Sequence, residues 1–282
     1  MRYRKDRPPS RRTVLWIAGG AVLVLLLGIR AFRHRDPSAA EEMEVGERLA
    51  EQAGWDKLES DPEVLAYVRS VGGAVAEGRT RKDVEFVFYL IDLPVPNAGA
   101  LPGGRIAVTT GLLSFAESEA ELAAVIGHEV AHVDLRHTVR HWEFEERSRR
   151  ARENAGGAAV AVFSALVESS YSQANETEAD AEGARLAALA GYNPNAARHV
   201  FSRMAEAEKR QAAGDPLAGI GRYFSSHPLS FQRMLDLESV AGEILKREPG
   251  KRYYQGEKNL RGKVPLSREA YEEEWVVPPP PP

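Results

Sequence analysis

The 282-residue chain contains no cysteine. Disulfide frameworks, thiolate zinc sites, iron–sulfur clusters and cysteine nucleophiles are therefore excluded, and any metal has to be held by His, Asp and Glu. Positive charge is also scarce over most of the length. Residues 1–35 hold nine Lys and Arg against one acid, Asp6, which leaves 28 bases against 40 acids in the remainder. Affinity for nucleic acid comes largely from clustered positive charge, so an acidic body of this kind argues against a duplex-binding protein. No internal repeat is present. Long apolar runs are limited to Thr13–Ile29 and the shorter, small-residue-rich Ala155–Val167.

Thr13 to Ile29 is seventeen residues without a charge. As a helix it would rise about 26 Å, at the short end of what crosses a bilayer core. Six bases precede it, and Arg30, Arg33 and Arg35 follow. The positive-inside rule then leaves the N-terminus in the cytoplasm and the rest outside. A cleaved signal peptide is the competing reading, but no A-x-A-like site follows the run. Ser10-Arg11-Arg12-Thr13-Val14-Leu15 also resembles a twin-arginine export signal. The expected organisation is a basic cytoplasmic tail (1–12), a transmembrane signal anchor (13–30), a linker (31–45), one domain (46–248) and a partly disordered tail (249–282) ending in five prolines.

Within the domain, apolar spacing predicts helix from Glu47 to Val75, with a second start at Asp61-Pro62, Asp as N-cap and Pro in the first turn. Val84–Ile91 is rich in β-branched and aromatic residues and reads as a strand. A Leu101–Gly104 turn leads to a second strand, Arg105–Thr109, and the two suggest a small antiparallel sheet. Ser118 and Glu121 form a capping box for a long helix to about Arg150. Ala155–Val167 is too short to span a membrane and reads as a buried core helix. Further helices are expected over Asn175–Ala190, from Asn193-Pro194 to about Gln211, and over Ser230–Lys246. The fold class is α+β, mainly α-helical, with one N-terminal transmembrane helix.

The stretch that carries chemistry is His128-Glu129-Val130-Ala131-His132. Histidines four apart on a helix project from one face and can share a metal, while Glu129 reaches a water in the open coordination position. Zinc lowers the pKa of that water from near 15.7 to roughly 7, and the carboxylate takes its proton. Position 135 is Leu and position 138 Thr, which excludes the HExxHxxGxxH branch. Downstream, Glu176 and Asp180 are spaced i, i+4 and share a helix face, with Glu178 turned away. One of the two carboxylates can complete a His₂Glu site, and the other can orient a ligand histidine through its second ring nitrogen. His137 and His141 form another i, i+4 pair. On a continuous helix they lie about 140° and 180° from His132 and read as surface or core histidines.

The chain resembles metallopeptidase family 48, the zincin group that includes HtpX, the CAAX prenyl endopeptidases and the BepA-type proteases. Besides HEVAH and the Glu176–Asp180 segment, the resemblance rests on Asn97–Gly104 followed by Arg105–Leu113, on Gly191-Tyr192-Asn193-Pro194, and on Ser226-His227-Pro228 with Arg233. It spans about residues 44–245. It implies His128, His132 and Glu176 as ligands of one Zn²⁺, Glu129 as general base and acid, and Asp180 as the carboxylate behind a ligand. It also implies His227 near the metal, stabilising the oxyanion or filling the open position in a latent form, and Arg233 as a contact to substrate or to structure beside it. Gly104, Arg105, Ile106, Ala107 and Val108 are expected to form the edge that takes an extended peptide by β-augmentation. The expected protein is a zinc metalloendopeptidase tethered outside the cytoplasmic membrane of a bacterium and cleaving misfolded envelope proteins. A zinc-stabilised chaperone or assembly factor without catalysis is the alternative. The mitochondrial Oma-type role ranks lower, because the N-terminus is not a transit peptide.

Overall fold

The computed structural model describes residues 36–55, 61–154, 171–212, 227–228 and 230–279. The anchor predicted at 13–30 and the apolar run Ala155–Val167 lie outside these residues. No helix among the described residues is long and apolar enough to cross a membrane.

Helix α1 spans Ala39–Gln52 and α2 Pro62–Glu77, with Asp61 accepting the Glu63 N–H at 2.8 Å as N-cap. The segment assigned to a linker is therefore helical from residue 39. Its apolar side, Val45, Leu49 and Ala50, packs with Ile91, Leu101 and Ala107 of the sheet.

Strand β1 (Val87–Ile91) is followed by β2 (Ala98–Leu101), a 3₁₀ turn at Pro102–Gly104, and β3 (Arg105–Thr109). The order is β1-β3-β2, with β1 and β3 parallel and β2 and β3 antiparallel. Two expectations are overturned here. The sheet is mixed, because the chain inserts β2 before turning back. The strand expected to be a free edge is also central, with all five residues of β3 buried. Gly104 belongs to that turn. At φ 81° it adopts a left-handed conformation, and a Cβ there would meet the Glu85 carbonyl oxygen at 2.4 Å. Arg105, Ile106, Ala107 and Val108 thus form sheet interior, Gly104 lies in the turn before them, and β2 is an edge beside them.

A short helix, α3 (Thr110–Phe115), leads to α4 (Glu119–Asp134), whose sixteen residues are all buried. Apolar residues around its whole circumference suit a central helix. Ser118 caps it, accepting the Glu121 N–H at 3.2 Å, while Glu121 Oε2 accepts the Glu117 N–H at 2.8 Å. The long helix expected to run to Arg150 is broken. Arg136 takes φ 63°, and α5 begins at His137 and runs to Asn154.

Helix α6 (Gln173–Leu189) crosses α4 closely. A Cβ on Gly127 would sit 2.6 Å from the Gly183 carbonyl oxygen, and one on Gly183 would sit 2.6 Å from the His128 nitrogen. Helices α7 (Ala196–Ala212) and α8 (Phe231–Arg247) complete the bundle.

The tail expected after 248 carries secondary structure among the described residues. Strand β4 (Tyr253–Tyr254) pairs with β5 (Trp275–Val276), and helix α9 (Glu257–Gly262) lies between them in sequence. The carbonyls of Gly256 and Gln255 accept the N–H groups of Glu119 and Ala120 at 3.0 Å each, closing the N-terminus of α4. Four N–H groups at a helix start lack intrahelical partners, which explains why this segment can dock there.

Candidate metal centre

His128, His132, Glu176 and His227 converge, each buried, with one donor atom apiece lying within 4.8 Å of one another. His128 and His132 leave α4 one turn apart, and Glu176 comes from the first turn of α6. The glycine contact between these helices brings the two sides together. His227 arrives from the segment ahead of α8.

The separations suit a tetrahedral ion. His128 Nε2 lies 3.0 Å from His132 Nε2 and 3.2 Å from His227 Nδ1. Glu176 Oε1 lies 3.1 Å from His227 Nδ1 and 3.3 Å from His132 Nε2, and Glu176 Oε2 lies 3.6 Å from His128 Nε2. Ligand bonds of 2.0–2.1 Å at tetrahedral angles give edges of about 3.3–3.4 Å, and these five separations, measured to both Glu176 oxygens, lie near that length. The chemistry also fits. Three imidazoles and one carboxylate, without thiolate, suit Zn²⁺.

Glu129 is fully buried beside this cluster, and among the described residues neither of its carboxylate oxygens has a hydrogen-bond partner. A buried carboxylate without partners is costly unless it serves a function. His227 Nε2 lies 3.5 Å from Glu129 Oε1. Burial opposes a charge on His227, but the carboxylates of Glu129 and Glu176 raise its pKa above the ordinary value. Burial likewise works against the Glu176 carboxylate. The facing His227 and the hydrogen bonds from His132 and His227 overcome it and hold the group far below the carboxylate range. His132 is pushed well down by burial, which keeps its imidazole neutral and able to bind a metal.

Around these groups lies a ring of supports. Asp180 Oδ1 stands 3.0 Å from His128 Nδ1. Arg233 grips Asp180 through Nε and Nη2 at 2.7 and 2.8 Å, and its Nη1 lies 2.7 Å from Glu176 Oε2. Nη1 also donates to the Pro228 carbonyl at 2.8 Å. Arg233 is 1% exposed, and of its two expected contacts, substrate or structure, the buried ion pair is the structural one. Asp180 stays ionised because the bonds from Arg233 and His128 outweigh burial.

Two residues near the centre escaped the sequence reading. Tyr171 stacks on His132 at 4.1 Å between ring centroids and also approaches His141 and His227. His137 is fully buried, with Nδ1 3.2 Å from His132 Nδ1, because the break at Arg136 cancels the angle calculated for a continuous helix. Glu178 points away from Glu176, as expected, and meets His137 Nε2 at 3.2 Å. No sequence signal marks the break, since neither Gly nor Asn stands at 135 or 136.

Comparison with known proteins agrees with the geometry. The model of peptidase family M48 matches residues 62–241. The beta-barrel assembly-enhancing protease of Escherichia coli K12 is 27% identical over 225 residues, covering 73% of this chain and 45% of that protein. The mitochondrial metalloendopeptidase OMA1 of Schizosaccharomyces pombe is 32% identical over 197 residues, covering 67% and 57% respectively. OMA1 of Arabidopsis thaliana is 37% identical over 156 residues, covering 53% and 30%. The chain spans less than half the length of the bacterial relatives it matches.

Proposed function

The chain belongs to peptidase family M48, a family of metallopeptidases, and from that premise we propose that it is a zinc metalloendopeptidase anchored by residues 13–30 to the bacterial inner membrane, acting outside the cytoplasm. The observation that carries the reading is Glu129, a buried carboxylate without a hydrogen-bond partner among the described residues, beside four convergent metal donors.

His128, His132 and Glu176 would hold the ion. Zinc bound there would acidify a water and polarise the scissile carbonyl. Glu129 takes the proton from the attacking water and returns it to the leaving amine, as a general base and then a general acid. Asp180 orients His128 through Nδ1, and Arg233 holds Asp180 and Glu176 in register. His227 stands at the fourth corner of the donor set, the position a catalytic site keeps open. The arrangement therefore represents a resting form, and withdrawal of His227 precedes catalysis. An extended substrate is taken along β2, the sheet edge that packs against α4, in place of β3.

Envelope proteins that have misfolded or failed to assemble are the proposed substrates. The name of the Escherichia coli relative, with its reference to beta-barrel assembly, supports this class. The direct test is Glu129→Gln in the full chain with an unfolded protein as substrate. Cleavage should fall at least about 100-fold while zinc is retained, in line with the loss of a general base. Cleavage at the wild-type rate would refute the mechanism.

A further inference from the structure

We propose that His137, oriented by Glu178, is a positioning residue for the metal ligand His132. The inference rests on the metallopeptidase reading of the centre and extends it to a residue outside both HEVAH and the Glu176–Asp180 pair.

The hydrogen-bond directions follow from one another. His132 presents Nε2 to the donor cluster, 3.0 Å from His128 Nε2 and 3.3 Å from Glu176 Oε1. A ligand nitrogen carries no proton, so the His132 proton is on Nδ1, and it is donated to His137 Nδ1 at 3.2 Å. His137 then carries its own proton on Nε2 and donates it to Glu178 Oε2 at 3.2 Å. Every ring nitrogen in the chain has one role, and each tautomer is fixed by its neighbour.

The two α4 ligands are thereby oriented by different means. His128 has a carboxylate directly behind it, the fully buried Asp180, balanced by Arg233. His132 has a neutral imidazole behind it, and the carboxylate stands one residue farther out, where the Glu178 side chain is 64% exposed. The site already buries Glu129, Glu176 and Asp180 with one arginine. A fourth buried carboxylate without a cation would carry a large desolvation penalty. The interposed imidazole supplies an acceptor for His132 while leaving the charge of Glu178 in water.

Local backbone provides the geometry. His137 is the first residue of α5, directly after Arg136 at φ 63°. The Arg136 guanidinium reaches Glu42 at 2.9 Å, and Asp134 accepts the backbone N–H groups of Thr80 and Arg81 at 2.7–3.1 Å. The break is thus pinned from α1 and from the loop after α2, and the ring of His137 returns beneath His132 with centroids 5.1 Å apart.

Three variants of the full chain test the assignment through zinc dissociation constants, measured by competition with a chromophoric chelator. His137→Phe keeps a ring and removes the acceptor. His137→Asn keeps an amide oxygen near the position of Nδ1. Zinc affinity should fall about 10–100-fold in His137→Phe, the usual effect of losing a partner behind a ligand, and His137→Asn should recover most of it. Glu178→Ala, at an exposed position that does not endanger folding, should weaken zinc several-fold. Wild-type affinity in His137→Phe, or equal weakening in Phe and Asn variants, would overturn the inference and leave a packing role. If His137→Phe does not fold, unchanged affinity in Glu178→Ala overturns it. A wild-type chain that binds no zinc would instead refute the metallopeptidase reading, and this inference with it.

Discussion

Arg233 and Asp180 form a two-pronged pair at 2.7 and 2.8 Å, buried on both sides, and Asp180 in turn stands 3.0 Å from His128, a proposed metal ligand. Side chains 53 positions apart in sequence thus stand behind the ring of His128.

Arg233→Met removes the cation from this pair and strands Asp180, together with Glu176, in a buried site. Breaking a buried ion pair on one side costs about 3–5 kcal/mol. The expected result is a large fall in melting temperature together with weaker zinc binding, read by calorimetry and metal titration. A variant that loses stability but binds zinc normally would separate Arg233 from the centre.

Gly127 and Gly183 allow α4 and α6 to touch backbone to backbone. Gly183→Ala would press a methyl group against the His128 nitrogen and push the helices apart. Overpacking costs typically about 1–3 kcal/mol. Because the same crossing sets the distance from His128 and His132 to Glu176, zinc affinity should fall with stability. Crystal structures of the variant would show the displacement.

Much of the centre was legible in the sequence because its signals are local. HEVAH is a one-turn spacing on a helix, and Glu176 with Asp180 is another, so His128, Glu129, His132, Glu176 and Asp180 follow from periodicity and donor chemistry. The Ser118 and Asp61 caps were also legible. What failed depends on distant contacts. Arg136 adopts a left-handed conformation without a glycine, its guanidinium 2.9 Å from Glu42, so helical periodicity turns His137 away where the fold sets it beneath His132. β3 became central only because Ala98–Leu101 forms a strand, and four small or apolar residues give that strand little signal of their own.

Glu119, at the start of α4, is a buried carboxylate that accepts from the Tyr192 hydroxyl at 2.8 Å and the Leu266 N–H at 2.9 Å. Burial raises its pKa above the ordinary 4.5, despite the bonds from Leu266 and Tyr192. A carboxyl raised on folding favours the native state while protonated, and that contribution disappears as pH rises through the folded pKa. Glu119→Gln should therefore gain stability relative to wild type as pH rises from about 4 to 8. Melting curves of the pair across this range test it, and a constant difference would count against the assignment.

The segment from Lys251 to residue 279 lies outside the matched family region, yet it caps α4 through Gln255 and Gly256 and buries Tyr253, Tyr254 and Leu260. Deleting residues 249–282 removes two cap carbonyls together with the buried side chains of Tyr254 and Leu260, and burial of one large apolar side chain stabilises by about 1.5–3 kcal/mol. The truncated protein should melt at least several degrees lower than the full chain. An unchanged melting temperature would show that the segment is not part of the folded unit.

The central claim is that His128, His132 and Glu176 bind a metal ion beside the Glu129 carboxylate. Bound metal in the full chain, wild type beside Glu176→Gln, tests it without depending on a resting site being active. The account predicts one zinc per wild-type chain, lost or greatly weakened in the variant. Zinc retained undiminished in Glu176→Gln would remove that carboxylate from the centre, and absence of zinc from the wild type would contradict the account.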